Sequence, residues 1–323
     1  MSEAKLKHRL WNFLEGQGYR VGGEVKVVPD EKVKSIRKEK LKGLPPLELY
    51  GLSTPRAWKR VSYRIDIVAF DGKEYIGYEV KSRFEDISSG YFWDQMESYA
   101  NGEMLDRLFL VFHDGECIHG KHGKEYEHIL SSYKHALREA GIGLIVLEGN
   151  DFTVKLEARK LNRVYTPKLE RNETWLRHKV WNYFESQGFE VEGEVKILER
   201  NVRIAKGRID LALLPKGVDL AKVTREQNKY DHIGVEVKYR VRRSELSKVI
   251  NQLNSYVYSG CFTKVYLLVR ERDLWIVDEI KKKVTDRRFG VMVFFQDEEV
   301  VKECLEAPKL NMRSNAMNFI SYV

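Results

Sequence analysis

Apolar residues recur at helical spacing in "LWNFLE" (10–15), and the run stops at Gly16 and Gly18, so the chain opens with a predicted helix closed by glycine. Three short β-rich stretches follow: "YRVGGEVKVV" (19–28), "YRIDIVAF" (63–70) and "EYIGYEVKS" (74–82). Gly, Asp and Pro bound them. Helical spacing returns in "WDQMESYANGEML" (93–105). "RLFLVF" (107–112) is a continuous apolar run of strand length, suited to a sheet covered on both faces. The helix "EHILSSYKHALREAG" (127–141) then leads to a strand, "IGLIVL" (142–147).

The same succession occurs a second time. "LKHRLWNFLEGQGYRVGGEVKVV" (6–28) lies without a gap against "LRHKVWNYFESQGFEVEGEVKIL" (176–198). "RIDIVAF" (64–70) answers "RIDLALL" (208–214), and "YIGYEVKSR" (75–83) answers "HIGVEVKYR" (232–240). "DQMESYANGEMLDRLFLVF" (94–112) answers "NQLNSYVYSGCFTKVYLLV" (251–269). The block order is identical and the period is too long for a solenoid. The pattern predicts two copies of one α/β domain, 1–165 and 166–323, each an α/β/α sandwich with a mixed central sheet. The copies differ by insertions. A basic stretch near 30–63 belongs to the first, and "PKGVDLAKVTREQNKYD" (215–231) to the second. Both are read as surface loops.

Composition narrows the class. At 323 residues, two domains are the default expectation. No apolar run approaches the ~20 residues that span a bilayer, and the first residues contain no signal-peptide core. Cys117, Cys261 and Cys304 form neither a disulfide framework nor a zinc pair, which points to a reducing cytoplasm. The net charge of +8 is uneven: residues 32–64 hold ten Lys/Arg against two Glu. Such local basicity suits a polyanion, although a solvated charged loop has the same composition.

Candidate chemistry sits in the repeated blocks. Glu-x-Lys on a single strand is an ordinary surface pair, because alternation puts both side chains on one face. Asp66 near the start of one strand with Glu79 and Lys81 on the next is a different matter. Two carboxylates then converge beside an ammonium, and hard oxygen ligands with room for water are what Mg²⁺ or Mn²⁺ requires. Asp210, Glu236 and Lys238 repeat the set. Gln95 with Tyr99, and Gln252 with Tyr256, are i, i+4 pairs whose amide and phenol share a helical face toward a strand end or a phosphate. "GEVK" at 23–26 and 193–196 is a further Glu-x-Lys, which makes Lys26 and Lys196 strand-face or phosphate contacts. His8 and His178 read as a solvated helix face, Trp11 and Trp181 as core. "HDGECIHGKHGKEYEH" (113–128) reads as a loop and helix start rather than a metal site.

The order Asp, Glu-x-Lys, Gln-x3-Tyr resembles the PD-(D/E)XK nuclease superfamily of restriction-endonuclease-like fold. Its RecB-like, Mrr-like and archaeal Holliday-junction-resolvase branches look closest. The resemblance implies a divalent-metal-dependent DNA endonuclease, two tandem nuclease-like domains forming a pseudo-twofold dimer within one chain. It implies metal contacts at Asp66, Glu79 and Val80 and at Asp210, Glu236 and Val237. Lys81 and Lys238 are the implied catalytic lysines, and Gln95 and Gln252 the accessory site residues. The upstream acid of such families falls on Glu24 and Glu194, or on the helix-end Glu15 and Glu185; a strand ending beside the metal favours the former. The expected partner is DNA, duplex or branched, with no membrane, and the chain is a monomeric pseudodimer or a homodimer. The alternatives are a single-strand, flap or RNA nuclease of the same fold, and a DNA-binding protein with relic sites.

Overall fold

The computed structural model describes residues 1–29, 64–82, 90–113, 123–199, 205–218, 230–284, 288–310 and 318–321. The basic stretch near 30–63 and Cys117 lie outside the described residues. The chain divides into two compact units, Met1 with Leu6–Glu170, and Ser2–Lys5 with Arg171–Val323.

In the first unit the order is α1 (Glu3–Gly16), β1 (Arg20–Lys26), β2 (Arg64–Phe70), β3 (Tyr75–Val80), α2 (Gly90–Ala100), β4 (Arg107–His113), α3 (Gly123–Ala140), β5 (Gly143–Glu148) and β6 (Asp151–Leu156). The six strands form one sheet in sequential order. β1, β2 and β3 pair antiparallel, β3 to β5 run parallel, and β6 returns antiparallel. The second unit repeats this with α4 (Glu173–Ser186), β7 (Glu190–Glu199), β8 (Ala205–Leu214), β9 (Ile233–Val237), α5 (Leu246–Ser259), β10 (Lys264–Arg270), α6 (Trp275–Lys283), β11 (Gly290–Phe295) and β12 (Val300–Leu305). A last strand, β13 (Asn318–Ser321), pairs with the free edge of β7 and makes a seven-stranded sheet. Both units are therefore mixed α/β structures. β6 and β12 are additions to the reading from sequence. They are half-exposed edge strands, so no run of apolar residues marks them.

The central strands β3, β4 and β10 are buried along nearly their whole length, which requires cover on both faces of the sheet. Leu108, Leu110, Met96 and Tyr99 belong to the first core, and Leu267, Val269, Leu253 and Tyr256 to the second. Trp11 and Trp181 are each 2% exposed, as expected of core residues. The histidines three residues before them are not on a solvated face. His8 and His178 are buried, and each Nε2 meets the side-chain amide of Asn12 or Asn182 one turn on, at 3.1 and 3.3 Å. An i, i+3 spacing puts them on the same helical face as the tryptophans, which is the face that packs. Among the described residues no helix is long and apolar enough to cross a membrane, and Cys261 and Cys304 are free thiols.

The repeated Ile-Gly-x-Glu-Val-Lys block has a packing explanation as well as a chemical one. A methyl group on Gly77 would lie 2.6 Å from Leu105 Cδ1 and 2.8 Å from Ile65 Cδ1. On Gly234 it would lie 2.5 Å from Ile209 Cδ1 and 3.0 Å from the Phe262 ring. Glycine lets side chains from neighbouring elements close over the strand that carries the glutamate. Gly77→Ala is expected to cost about 1–3 kcal/mol through overpacking. Gly16→Ala, with nothing within 4 Å of the new methyl, is expected to be neutral or stabilising by up to about 1 kcal/mol. Urea unfolding of the two variants beside wild type checks both signs.

Candidate active site

β2 and β3 pair antiparallel as far as Ile67–Tyr78, and β8 and β9 as far as Leu211–Val235. Just beyond these last pairs the aspartates turn their side chains into the ladder. Asp66 Oδ2 accepts from the Val80 amide at 2.8 Å, and Asp210 Oδ2 from the Val237 amide, also at 2.8 Å. Each aspartate is thereby locked to the residue that follows the glutamate of the neighbouring strand. Lys81 Nζ reaches Glu79 Oε1 at 2.6 Å, and Lys238 Nζ reaches Glu236 Oε1 at 2.7 Å. The convergence expected of Asp, Glu and Lys is present in both units.

Burial decides the electrostatics. Glu79 and Glu236 are each 2% exposed. Removal from water, then the nearby aspartate, push their carboxyls up, to about 8 for Glu79 and about 7 for Glu236; the lysines oppose the shift. Lys238 is held above its usual value: burial works against its charge, but Asp210, Glu236 and Glu173 outweigh it. One oxygen of each glutamate, Glu79 Oε2 and Glu236 Oε2, is buried without a hydrogen-bond partner among the described residues. An orphaned buried carboxylate oxygen is costly, and its recurrence at the same position in both units marks it as a constructed feature.

The glutamines and tyrosines come to the site, with the rings inside the core. Tyr99 and Tyr256 are 0% and 3% exposed, and their hydroxyls donate to the carbonyls of Arg64 and Arg208 at 2.6 Å. They brace the strand before the aspartate, and neither ring is placed to touch a nucleic-acid strand. Gln252 donates to Glu236 Oε1 at 2.7 Å and to the Tyr256 hydroxyl at 2.6 Å. Gln95 is bonded to the Tyr99 hydroxyl, and no bond to Glu79 is found. Burial of the phenols pushes both well above their ordinary range.

Glu24 and Glu194 occupy a left-handed backbone conformation, φ 51° and 53°, that interrupts β1 and β7 beside the aspartates. Non-glycine residues adopt it at a cost of order 1–3 kcal/mol, and such strain clusters at functional positions. Glu194 is held by Arg177 at 2.9 Å and Arg208 at 3.1 Å. The alternative Glu185 is bonded to its own Trp181 indole at 2.9 Å. It lies two turns beyond Arg177, roughly 12 Å along the helix, so the strand acid is the one near the cluster. Lys26 and Lys196 are half-buried on β1 and β7, paired in register with Arg64 and Arg208.

Three residues near the acids went unnoticed in the sequence. Lys7 Nζ sits 2.7 Å from Asp66 Oδ1. Its counterpart Arg177 lies 3.6 Å from Asp210 Oδ1 as well as on Glu194. Glu173, at the start of α4, lies 3.5 Å from Lys238 Nζ. The available signal was the alignment of Lys7 with Arg177, one basic side chain at the same helical position in both copies.

Among the described residues no group of three or more His, Cys, Asp or Glu side chains is gathered closely enough to hold a metal ion. Each unit offers two convergent carboxylates, Asp66 with Glu79 and Asp210 with Glu236. The main-chain candidate in the second unit, the Val237 carbonyl, is met by Lys238 Nζ at 3.2 Å. Two hard oxygen donors, one with a spare buried oxygen, fit a divalent cation that keeps several waters. What fold and site together define is a two-unit mixed α/β protein with an acid–acid–lysine cluster in each unit. No protein-family model matches the chain, and none of the curated proteins matches it closely enough to count as a relative.

The raised glutamates give a pH signature. Between about pH 4.5 and pH 8 an unfolded chain releases the Glu79 proton while the folded chain keeps it, so stability falls as pH rises through that window. Glu236 acts likewise up to about pH 7. Relative to wild type, the Glu79→Gln/Glu236→Gln protein is expected to melt at a similar temperature at pH 5 and at a higher one at pH 8. Calorimetry in EDTA at both pH values measures the difference, and equal melting at pH 8 would contradict the raised proton affinity of the buried glutamates.

Proposed function

We propose that this protein is a divalent-metal-dependent DNA endonuclease of the PD-(D/E)XK type, with one phosphodiester-cleaving site in each unit and cleavage of duplex or branched DNA. The observation that carries the reading is the acid pair itself. An aspartate locked to the neighbouring strand and a buried glutamate with one spare oxygen meet a lysine two residues on, and the arrangement is built twice.

Asp66 with Glu79, and Asp210 with Glu236, would hold Mg²⁺ or Mn²⁺. When bound, such an ion polarises the scissile phosphate and acidifies a water. Each chain residue has its own task. The Val80 and Val237 amides fix the aspartates, so no reorganisation of those carboxylates is needed. Gln252 ties down one oxygen of Glu236 and fixes the carboxylate plane. Lys238, held protonated by its carboxylate ring, works as a cation that orients a water oxygen or offsets charge building on phosphorus. A base role would require a depressed pKa. Lys7 and Arg177 place a second cation on the aspartates, within reach of phosphate oxygens once a cation satisfies the acids.

A panel of supercoiled plasmid, linear duplex, flap, four-way junction and RNA with Mg²⁺ tests the reading. Wild type is expected to cut both strands of plasmid. Lys81→Ala and Lys238→Ala singly are expected to leave nicks, with linear product falling at least tenfold, and the double variant to lose cleavage. Cleavage confined to RNA or flaps would move the substrate class. Cleavage undiminished in the double variant would remove the assignment.

A further inference from the structure

β9 and β10 are parallel neighbours, so the segments that follow them, Lys238–Arg243 and Arg270–Asp273, leave the same carboxyl edge of the second sheet. That edge is where open α/β sheets receive their ligands, and Lys238 places it directly beside the acid cluster. The two segments hold six cations against two acids. They are also locked together. Arg270 Nε donates to the Tyr239 carbonyl at 2.9 Å, and its guanidinium stacks over the Tyr239 ring at 3.6 Å. Arg272 lies over the same ring at 5.5 Å, and Arg243 over Trp275 at 5.4 Å. Buried Asp273 faces the Val241 amide, with Arg272 and Arg240 as its charged neighbours.

Arg240, Arg242, Arg243 and Arg272 are exposed. Among the described residues no carboxylate closes an ion pair on Arg240, Arg242 or Arg243, and the contact of Arg272 with Asp273 is long, at 3.9 Å. Exposed guanidinium groups without a close carboxylate partner, two of them over the Tyr239 and Trp275 rings, suit the regular spacing of backbone phosphates. In the sequence, the equivalent segments of the first copy, 81–86 and 113–116, carry Lys81 and Arg83 against Glu85, Asp86, Asp114 and Glu116. The balance there is acidic.

We propose that the second unit carries a phosphate-binding rim, formed by Arg240, Arg242, Arg243 and Arg272 around Tyr239 and Trp275, that holds the backbone of a DNA strand beside Asp210 and Glu236. In the sequence the matching segments of the first copy carry a net negative charge instead, so the two sites are expected to grip DNA unequally. This inference rests on the nuclease reading, since it takes DNA as the polyanion.

The test is binding of a fluorescein-labelled 30-bp duplex (an illustrative length of about three helical turns) by anisotropy in EDTA, across a salt series. The rim variant is Arg240→Gln/Arg242→Gln/Arg243→Gln. A control, Arg138→Gln/Arg159→Gln/Lys168→Gln, removes the same charge from exposed positions of the first unit. Each phosphate contact contributes a salt slope of about 0.9. The rim variant is therefore expected to bind at least about tenfold more weakly, with a slope shallower by about 2–3. The control is expected to change affinity by less than about threefold. Matching melting temperatures establish that both variants fold. If the rim variant binds like the control, the rim is overturned while the nuclease reading stands. Rim-dependent binding by a wild type that cleaves no nucleic acid supports the rim and sinks the nuclease reading alone. A wild type that binds no duplex overturns both.

Discussion

A carboxylate removed from water beside a second carboxylate is the constraint around which each unit is organised. Glu79 and Glu236 are buried on central strands, and burial, helped by the neighbouring aspartate, raises their proton affinity. Such a group is costly to keep, because a neutral residue of similar shape would cost less. The lysine two residues on lowers the cost without removing it. Among the described residues one oxygen of each glutamate remains without a hydrogen-bond partner.

The surrounding structure holds that cost in place. Glycine at 77 and 234 lets leucine, isoleucine and phenylalanine side chains close over the strand. The core tyrosines tie their hydroxyls to the backbone two residues before each aspartate, and the aspartates cap the adjacent strand. Glu24 and Glu194, on the strands beside the aspartates, are held in the left-handed conformation in both units. Rigid support thus surrounds a polar, partly frustrated centre.

The duplication did not keep the two units equivalent. The cation on the aspartate is a lysine in the first unit, Lys7, and a guanidinium in the second, Arg177, and Gln95 bonds to tyrosine where Gln252 bonds to tyrosine and to the glutamate. The guanidinium–aromatic stack on Tyr239 belongs to the second unit alone: the aligned residues of the first are Ser82 and His113.

The duplication, the element order and the residues of the acid pair were legible in the sequence, because alternation and helical spacing report which face of an element is apolar. Two aligned copies also filter coincidence: a Glu-x-Lys that recurs after an Asp is more than a surface pair. Tertiary structure decided the rest. His8 and His178 are core because the tryptophan face of their helix packs, which spacing alone left open. Tyr99 and Tyr256 turned inward, and Lys7, Arg177 and Glu173 arrived at the acids from a helix far away in the chain. Periodicity is a local signal. Which distant charge meets a buried carboxylate, and whether its last oxygen is satisfied, depends on how elements pack in three dimensions.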